Sequence, residues 1–261
     1  MGLFETLSAA LREEQPVALV TVIDGPDVGS KLLVRPGHDP MGSLGDEDLD
    51  RVVARDALGE LAAGTSGVRH YGPHGEARQQ DVAVFFESFA PPPHMLIFGA
   101  VDFTAALAKV AKVLGYRVTV CDARPVFATR RRFPMADEVV VDWPQRLLEK
   151  VGPTLGPRDA VCVLTHDHKF DVPAIVAALD TGVGYLGAMG SRRTHADRVE
   201  RLRAEGVGDD GLARVMAPIG LDIGARTPEE TAVSICAEMI ALRTGRPAPS
   251  LRTTSGPIHR E

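Results

Sequence analysis

The stretch that decides the fold runs from His94 to Asp122, HMLIFGAVDFTAALAKVAKVLGYRVTVCD. Its apolar run Met95–Phe98 predicts a buried strand, and Gly99 predicts a tight turn directly after that strand. The i, i+3, i+4, i+7 spacing of an amphipathic helix follows at Phe103, Ala106, Leu107, Val110, Val113 and Leu114. Arg117–Cys121 predicts a second strand, which ends on Asp122. Strand, glycine turn, helix, strand and acid form the first βαβ unit of a dinucleotide-type Rossmann domain.

The glycine pattern of a dinucleotide-binding turn is incomplete in this stretch. In G-x-G-x-x-G the second glycine lets the backbone approach a pyrophosphate closely, and here Val101 occupies that position. Asp102 adds a negative charge where the helix dipole would otherwise favour a phosphate. The stretch therefore predicts the fold and places Gly99, Asp102 and Asp122 at its ligand-binding edge, but NAD(P) binding does not follow from it.

Composition excludes several classes of protein. The 261 residues are 44% hydrophobic and 25% charged, an ordinary globular balance, and the net charge of −6 argues against nucleic acid or an anionic membrane as partner. No apolar run approaches the roughly 20 residues of a membrane helix, and the first residues do not resemble a signal peptide. Cys121, Cys162 and Cys236 have no short spacing, so we expect buried thiols. A cytoplasmic protein is expected.

Residues 1–90 predict a small α+β domain. It contains a helix over residues 2–14, a hairpin of Val17–Ile23 and Lys31–Arg35, a helix over Asp46–Ala63, and strands at Ser66–Tyr71 and Asp81–Phe89. Pro91-Pro92-Pro93 predicts a stiff spacer, which we take as the domain boundary.

Residues 91–245 predict a Rossmann-like, doubly wound parallel sheet, which makes the whole chain an α/β protein. Further strands are expected at Glu138–Val141, Ala160–Thr165 and Val183–Leu186, helices near Pro144, Asp171 and Ser191, and a last helix over Pro228–Arg243. Thr227, Pro228 and Glu230 predict a capping box with proline at the first helical position. Residues 246–261 predict a flexible tail.

Ligands of an open parallel sheet bind beyond the carboxyl ends of the strands, and three further polar stretches fall there. In Thr165-His166-Asp167-His168, two imidazoles and a carboxylate can bind a metal, move a proton or hydrogen-bond a heterocycle. The spacing is not that of a known metal site. A ligand contact or proton handling is the preferred interpretation, and a plain loop is the alternative.

The segment Gly187–Thr194 predicts an anion site. Gly190 precedes Ser191, a candidate N-cap, and the first free N–H groups with Arg192 and Arg193 favour a phosphate-bearing ligand over a merely solvated helix start. The segment Pro218–Ala225 surrounds Asp222 with apolar residues and glycines. We expect a buried Asp222, which would need hydrogen-bond partners or a ligand. The run Arg130–Arg132 is interpreted as surface.

Together these segments resemble the Rossmann domain of the XdhC/CoxI family, accessory proteins of xanthine dehydrogenase and related molybdenum hydroxylases, from about His94 to Arg246. The motifs that carry the resemblance are Leu114–Val120 with Asp122 and Arg124, Phe133–Asp137, Thr165–His168, Tyr185–Thr194, Pro218–Ala225 and Thr227–Glu230. The family's turn is usually Gly-Ala-Gly-His, whereas this chain has Gly99-Ala100-Val101-Asp102.

The resemblance implies a cofactor chaperone rather than a catalyst. Such a protein binds molybdenum cofactor, protects it while a terminal sulfur is installed, and delivers it to the apo-enzyme of a molybdenum hydroxylase. A sulfur donor protein and a second copy of the chain are further candidate partners. The implied cofactor-binding residues are Gly99, Asp102, Asp122, His166, Asp167, His168, Gly190, Ser191, Arg192, Arg193 and Asp222, with no metal ligands and no catalytic residues.

The N-terminal part is less similar to the family. Gly29–Val34 and Met41–Gly45 match its strand and glycine-rich loop, but the Gly-Gly-Cys that usually follows is absent, which excludes a sulfur relay through that position. Two alternatives stay open. One is an NAD(P)-dependent oxidoreductase with Asp122 as ribose acceptor, and the other is a regulatory or interaction module without a small ligand.

Overall fold

The computed structural model describes residues 2–77, 79–165, 167–256 and 258. Contacts between residues divide the chain into two compact units, Met1–Pro92 and Pro93–Glu261.

The first unit is an antiparallel sheet with helices. Its elements are α1 (Leu3–Arg12), β1 (Val17–Asp24), β2 (Lys31–Val34), β3 (Met41–Ser43), α2 (Glu47–Ala63), β4 (Gly67–Tyr71) and β5 (Val82–Phe89). The strand order is β3-β2-β1-β5-β4, and the predicted β1–β2 hairpin is confirmed. Asp46 caps α2, since its carboxylate accepts the N–H groups of Asp48 and Leu49. The buried face of α2 joins the core of this unit at Leu49, Val53 and Leu61.

The second unit carries the predicted βαβ repeat. Its elements are β6 (His94–Phe98), α3 (Asp102–Val113), β7 (Arg117–Cys121), β8 (Glu138–Val140), α4 (Pro144–Val151), β9 (Ala160–Val163), α5 (His168–Leu179), β10 (Tyr185–Ala188), α6 (Arg192–Ala204), α7 (Asp209–Ala213), β11 (Val215–Met216) and α8 (Pro228–Thr244). Single 3-10 turns lie at Gly152–Thr154 and, in the predicted tail, at Leu251–Thr253.

All strand pairs of this sheet are parallel, and their order is β11-β10-β9-β6-β7-β8. Counted along the unit, that is the 3-2-1-4-5-6 order of a Rossmann fold, and the winding reverses between β6 and β9. Met95 and Ile97 pack into a core with α3 and α8, whereas Leu96 and Phe98 pack into a second core with α4 and α5. The doubly wound α/β fold is therefore confirmed.

Several element boundaries differ from the predictions. α5 begins at His168 rather than near Asp171, because Asp167 caps it by accepting the N–H of Lys169 at 3.1 Å. The short strands β3 and β11 and the short helix α7 were not predicted. The capping box of α8 is confirmed: Thr227 accepts the N–H of Glu230, and the Glu230 carboxylate accepts the N–H of Thr227. No helix within the described residues is long and apolar enough to cross a membrane.

Candidate functional site

The Gly99 turn closes tightly against the segment that follows β9. Gly99 has φ +113°, and a Cβ atom there would lie 2.9 Å from the backbone nitrogen of Thr165. The N–H of Gly99 donates to the carbonyl of Cys121 at 2.9 Å, which continues the β6–β7 ladder into the turn. Only glycine satisfies both the positive φ and the close approach, so Gly99 has a structural role at the point where the sheet reverses its winding.

Asp122, the acid at the end of β7, is already engaged within the protein. Its side chain is buried, and its carboxylate accepts the Arg124 side chain at both oxygens, from Nε at 2.9 Å and from Nη2 at 2.8 Å. The backbone N–H groups of Ala100 and Arg124 donate to the same carboxylate, at 2.8 and 2.9 Å. Burial acts to raise the pKa of Asp122, but the bonds from Arg124 and Ala100 outweigh it, so that the pKa lies below its usual value.

Aromatic rings hold the Arg124 guanidinium in this position. It lies 4.6 Å from the ring centre of Phe127 and 5.9 Å from that of Phe170. Phe170 also contacts Trp143, with 5.0 Å between ring centres. The space left between Asp122, Pro144 and Phe170 is about 10 Å³, room for one water molecule at most. This part of the crevice is therefore filled by the protein's own side chains.

The predicted turn residue Asp102 lies on the surface. Its side chain is 91% exposed and contacts Arg132 Nη2 at 3.4 Å, while Arg132 Nη1 donates to the carbonyl of Ala100 at 2.9 Å. Val101 is the N-cap residue of α3, with no side-chain cap, and packs against the core. The arginine run is thus more than a solvated surface, because Arg132 braces the turn.

The segment after β9 forms the start of α5. Thr165 is buried, and its hydroxyl accepts the N–H of Asp167 at 3.1 Å. Asp167 and His168 are exposed, and Asp167 serves as the N-cap of the helix. His166, which was also predicted to bind the ligand, lies outside the described residues. Within those residues no group of three or more His, Cys, Asp or Glu side chains is placed to hold a metal ion.

The start of α6 has the predicted N-cap residue. Ser191 is the N-cap of α6, and its hydroxyl accepts the N–H of Thr194 at 3.1 Å. The N–H groups of Arg192 and Arg193 belong to the first turn, where the helix itself offers no acceptor. Both arginine side chains are exposed. Helix N–H groups, the helix dipole and two cations therefore meet at the carboxyl edge of the sheet.

A buried ion pair beneath this turn was not predicted. Arg198 is 2% exposed, and its Nη2 donates to Asp171 at 3.0 Å and to the carbonyl of Met189 at 2.7 Å. Its Nε and Nη1 have no hydrogen-bond partner among the described residues. The pair ties α5 to α6 directly below the Met189–Gly190 turn. Arg198 lies in a helix rich in charged residues, and one sequence contains no signal that distinguishes it.

Asp222 does not have the predicted environment. The sequence predicted a buried carboxylate, and this was wrong, because Asp222 and the neighbouring Ile223 are both exposed. The acid that organises this loop is Glu238 of α8, whose carboxylate accepts the Tyr185 hydroxyl at 2.6 Å and the N–H of Gly220 at 3.0 Å. The apolar neighbours of Asp222 in the sequence suggested burial, but this part of the loop is exposed to solvent.

A cleft of about 350 Å³ opens beside the anion site, on the α3 and α8 side of the sheet. Gly190 and Ser191 line it, together with Phe103, Met189, Pro218, Ile219 and Thr231. Its size and its apolar lining with polar groups at one side are typical of small-molecule sites. A second cleft of about 350 Å³ lies at the opposite edge of the sheet. Its charged lining residues are Glu149 and Asp180, which would repel an anion.

The three cysteines are buried, as predicted. Burial raises the pKa of the Cys121 thiol to about 12 and that of Cys236 to about 11, and it raises the pKa of Cys162 well above its usual value. Since the thiolate is the reactive form, none of these groups has the environment of a reactive cysteine.

The two clefts at this edge of the sheet divide four of the predicted site residues. Gly99 and Asp122 lie where the crevice is filled, whereas Gly190 and Ser191 lie in the open cleft, next to Arg192 and Arg193. Comparison with known families agrees with this architecture: the family described as the XdhC Rossmann domain matches residues 95–239, and the family described as XdhC and CoxI matches residues 10–72.

This chain belongs to the XdhC and CoxI family. A relative in Bacillus subtilis strain 168, named as a probable subunit of xanthine dehydrogenase, is 34% identical over 164 residues, which cover 63% of this chain and 47% of the relative. Molybdenum cofactor insertion chaperone PaoD of Escherichia coli K12 is 27% identical over 159 residues, which cover 61% of this chain and 43% of PaoD. The chain thus spans about half the length of these XdhC-type relatives.

A crystal structure described as a xanthine dehydrogenase from Bacillus halodurans has the same overall fold. It superposes with a TM-score of 0.55 at 22% identity, covering 96% of this chain and 98% of the other. At that identity the similarity shows the fold alone.

Proposed function

We propose that this chain binds molybdenum cofactor and assists its insertion into a xanthine dehydrogenase-type molybdenum hydroxylase. The observation that carries the proposal is the cleft of about 350 Å³ at the carboxyl edge of the sheet, next to the start of α6. Phe103, Met189 and Ile219 offer apolar surface to a ring system. Ser191 and the first turn of α6 offer N–H groups to a phosphate.

The residues present fit the chemistry of this cofactor, a heterocycle that carries a phosphate. Arg192 and Arg193 supply positive charge at the mouth of the anion site. Beneath it, the buried Arg198 is paired with Asp171, and its Nε and Nη1 have no hydrogen-bond partner among the described residues. No step in this proposal requires the chain to make or break a bond. Its residues hold the phosphate, cover the ring and release both to the partner.

The relatives support the same role. A protein named as a molybdenum cofactor insertion chaperone matches 61% of this chain, and a protein named as a probable xanthine dehydrogenase component matches 63% of it. The partner that we propose is accordingly the apo-enzyme of a molybdenum hydroxylase. Because the thiols of this chain are buried, any sulfur added to the bound cofactor would come from a separate donor protein.

The alternative of an NAD(P)-dependent oxidoreductase has less support. An acid at the end of the second strand would have to accept a ribose hydroxyl, but Asp122 already accepts four hydrogen bonds from Ala100 and Arg124.

An anaerobic titration of the purified protein tests the proposal. Molybdenum cofactor, NAD(H) and NADP(H) are titrated in parallel, and we expect saturable binding of molybdenum cofactor alone. The double variant Arg192→Ala/Arg193→Ala is expected to lose about tenfold or more in affinity, since each charge-assisted contact is worth about 1.5 kcal/mol or more.

The matched control is Arg201→Ala/Arg203→Ala, which removes the same charge from the other end of the same helix. We expect this control to keep the affinity of the wild type. Equal affinity of all three proteins would contradict the anion site, and binding of NAD(P) alone would contradict the proposed function.

A further inference from the structure

The two halves of the Rossmann crevice differ in this chain. A dinucleotide in such a fold lies across the point where the winding reverses, with one nucleoside over the second and third strands and the other group over the fourth and fifth. Here those halves are the β7–β8 side, next to Asp122, and the β9–β10 side, next to Met189. The open cleft of about 350 Å³ belongs to the second half, while the first half retains about 10 Å³.

Three side chains fill the β7–β8 half of the crevice. Phe170 of α5 is buried against the end of β7, and Pro144 at the start of α4 lies beside it. Arg124 covers the carboxylate of Asp122 with two parallel N–H donors, a geometry that gives directional and strong pairing. A nucleoside in this half would have to displace the Arg124 side chain from the Asp122 carboxylate.

Two cations of this half also contact the aromatic rings on which a second base would stack. Rings stack on guanidinium groups and on aromatic faces, and Arg124 here lies over Phe127 and near Phe170. Lys169 in turn lies 4.9 Å from the ring centre of Phe170. Both cations therefore already pack on aromatic rings of this half, so that a base would have to compete with them for the same ring faces.

From this asymmetry we infer that the site selects the cofactor form with a single ring system and a terminal phosphate, and rejects the form extended to a dinucleotide, with Arg124 as the residue that determines this specificity. The inference rests on the proposed function and deepens it. In this arrangement the phosphate that binds at the start of α6 is the terminal group of the ligand. The Arg124–Asp122 pair occupies the position that a second nucleoside would need.

The test compares two purified ligands, the molybdopterin form of the cofactor and its dinucleotide form, by anaerobic titration of the full chain. The wild type is expected to bind the first at least about tenfold more tightly, because the second must displace a charge-assisted pair. In Arg124→Ala this preference should fall to about threefold or less, through a gain for the dinucleotide form and with unchanged affinity for the molybdopterin form. Arg131→Ala is the matched control, since Arg131 is an exposed arginine of the next segment.

A second variant covers the case in which Arg124→Ala unfolds. Phe127→Ala removes the exposed ring that lies over Arg124 and leaves the bonds between Arg124 and Asp122 in place. We expect a smaller shift of the preference in the same direction.

Each outcome has a distinct meaning. A wild type that binds the dinucleotide form equally or more tightly overturns the inference and leaves the proposed function standing. A preference that neither variant alters overturns the assignment to Arg124. Binding of neither form overturns the proposed function itself, and the inference with it.

Discussion

Gly99 shows how one residue sets the geometry of the crevice. Its φ of +113° is unfavourable for other residues, and a Cβ would lie 2.9 Å from the Thr165 backbone, which cannot move without distorting the end of β9. We expect Gly99→Ala to lower the free energy of unfolding by about 3 kcal/mol, the sum of backbone strain and overpacking. Urea unfolding measures this change.

Gly206→Ala is the control for that substitution. Gly206 also has a positive φ, +87°, but a Cβ there would meet nothing within 4 Å. The control should lose about 1 kcal/mol, from backbone strain alone. Equal losses in the two variants would mean that the close approach to Thr165 has no energetic weight.

Asp122 makes stability depend on pH. Because the pKa of its carboxyl in the folded protein lies below the usual 3.8, its contribution is fully present above that pH and is lost as the pH falls through the folded value. We expect Asp122→Asn to lose about 2 kcal/mol at neutral pH. The difference from the wild type should shrink below pH 3.8. Urea unfolding across pH measures it, and a difference that stays constant down to pH 2 would contradict this account.

Among the elements, α5 and α6 are tied together by the buried pair Asp171–Arg198. Removing one partner of a buried ion pair costs about 3–5 kcal/mol, whereas replacing both by apolar residues costs much less. We therefore expect Arg198→Met to lose about 3 kcal/mol or more, and Asp171→Leu/Arg198→Met to lose less than the sum of the two single variants. Chemical unfolding of the four proteins in the cycle measures the coupling.

The control for this pair lies on the same helix. Arg203 and Asp209 are 2.9 Å apart, but both side chains are largely exposed, so Arg203→Met should cost less than about 1 kcal/mol. A similar loss in Arg198→Met would show that burial gives the Asp171 pair no additional weight.

The sequence predicted elements with a strong pattern and missed those without one. β6, α3 and β7 follow from apolar runs, helical spacing and glycine turns, and the parallel sheet follows from their repetition. β11 is two residues long, so that no periodicity could mark it. The start of α5 depends on a hydrogen bond from the N–H of Lys169 to the carboxylate of Asp167. An acid directly before a helix is an N-cap signal, but the sequence prediction placed the start of this helix near Asp171 instead.

The local features of the candidate site could be predicted from the sequence, but the packing of its segments against one another could not. Ser191 as N-cap and the exposed Arg192 and Arg193 follow from local sequence rules, which involve only neighbouring residues. The burial of Phe170 against the Asp122–Arg124 pair depends on how α5 packs on the sheet. Such contacts decide which half of the crevice stays open, and they bring together residues far apart in the chain.

At the scale of the whole molecule, each hydrophobic core lies within one unit of the chain. The two cores that sandwich the parallel sheet consist of residues between Met95 and Met239, and the cores of the antiparallel sheet consist of residues before Pro91. A segment with its own complete core can fold alone. We therefore expect a fragment of residues 93–261 to unfold cooperatively in urea, and to retain the cofactor affinity of the full chain if the cleft beside α6 is the binding site.

The fragment also separates the roles of the two units. A folded fragment with unchanged affinity would place recognition of the cofactor in the Rossmann unit and leave the first unit for another task, such as contact with the apo-enzyme. A folded fragment that binds much more weakly would mean that residues 1–92 supply contacts to the ligand. A fragment without a cooperative transition would contradict the independence of the cores, because sheet, helices and both apolar layers would then need the first unit to assemble.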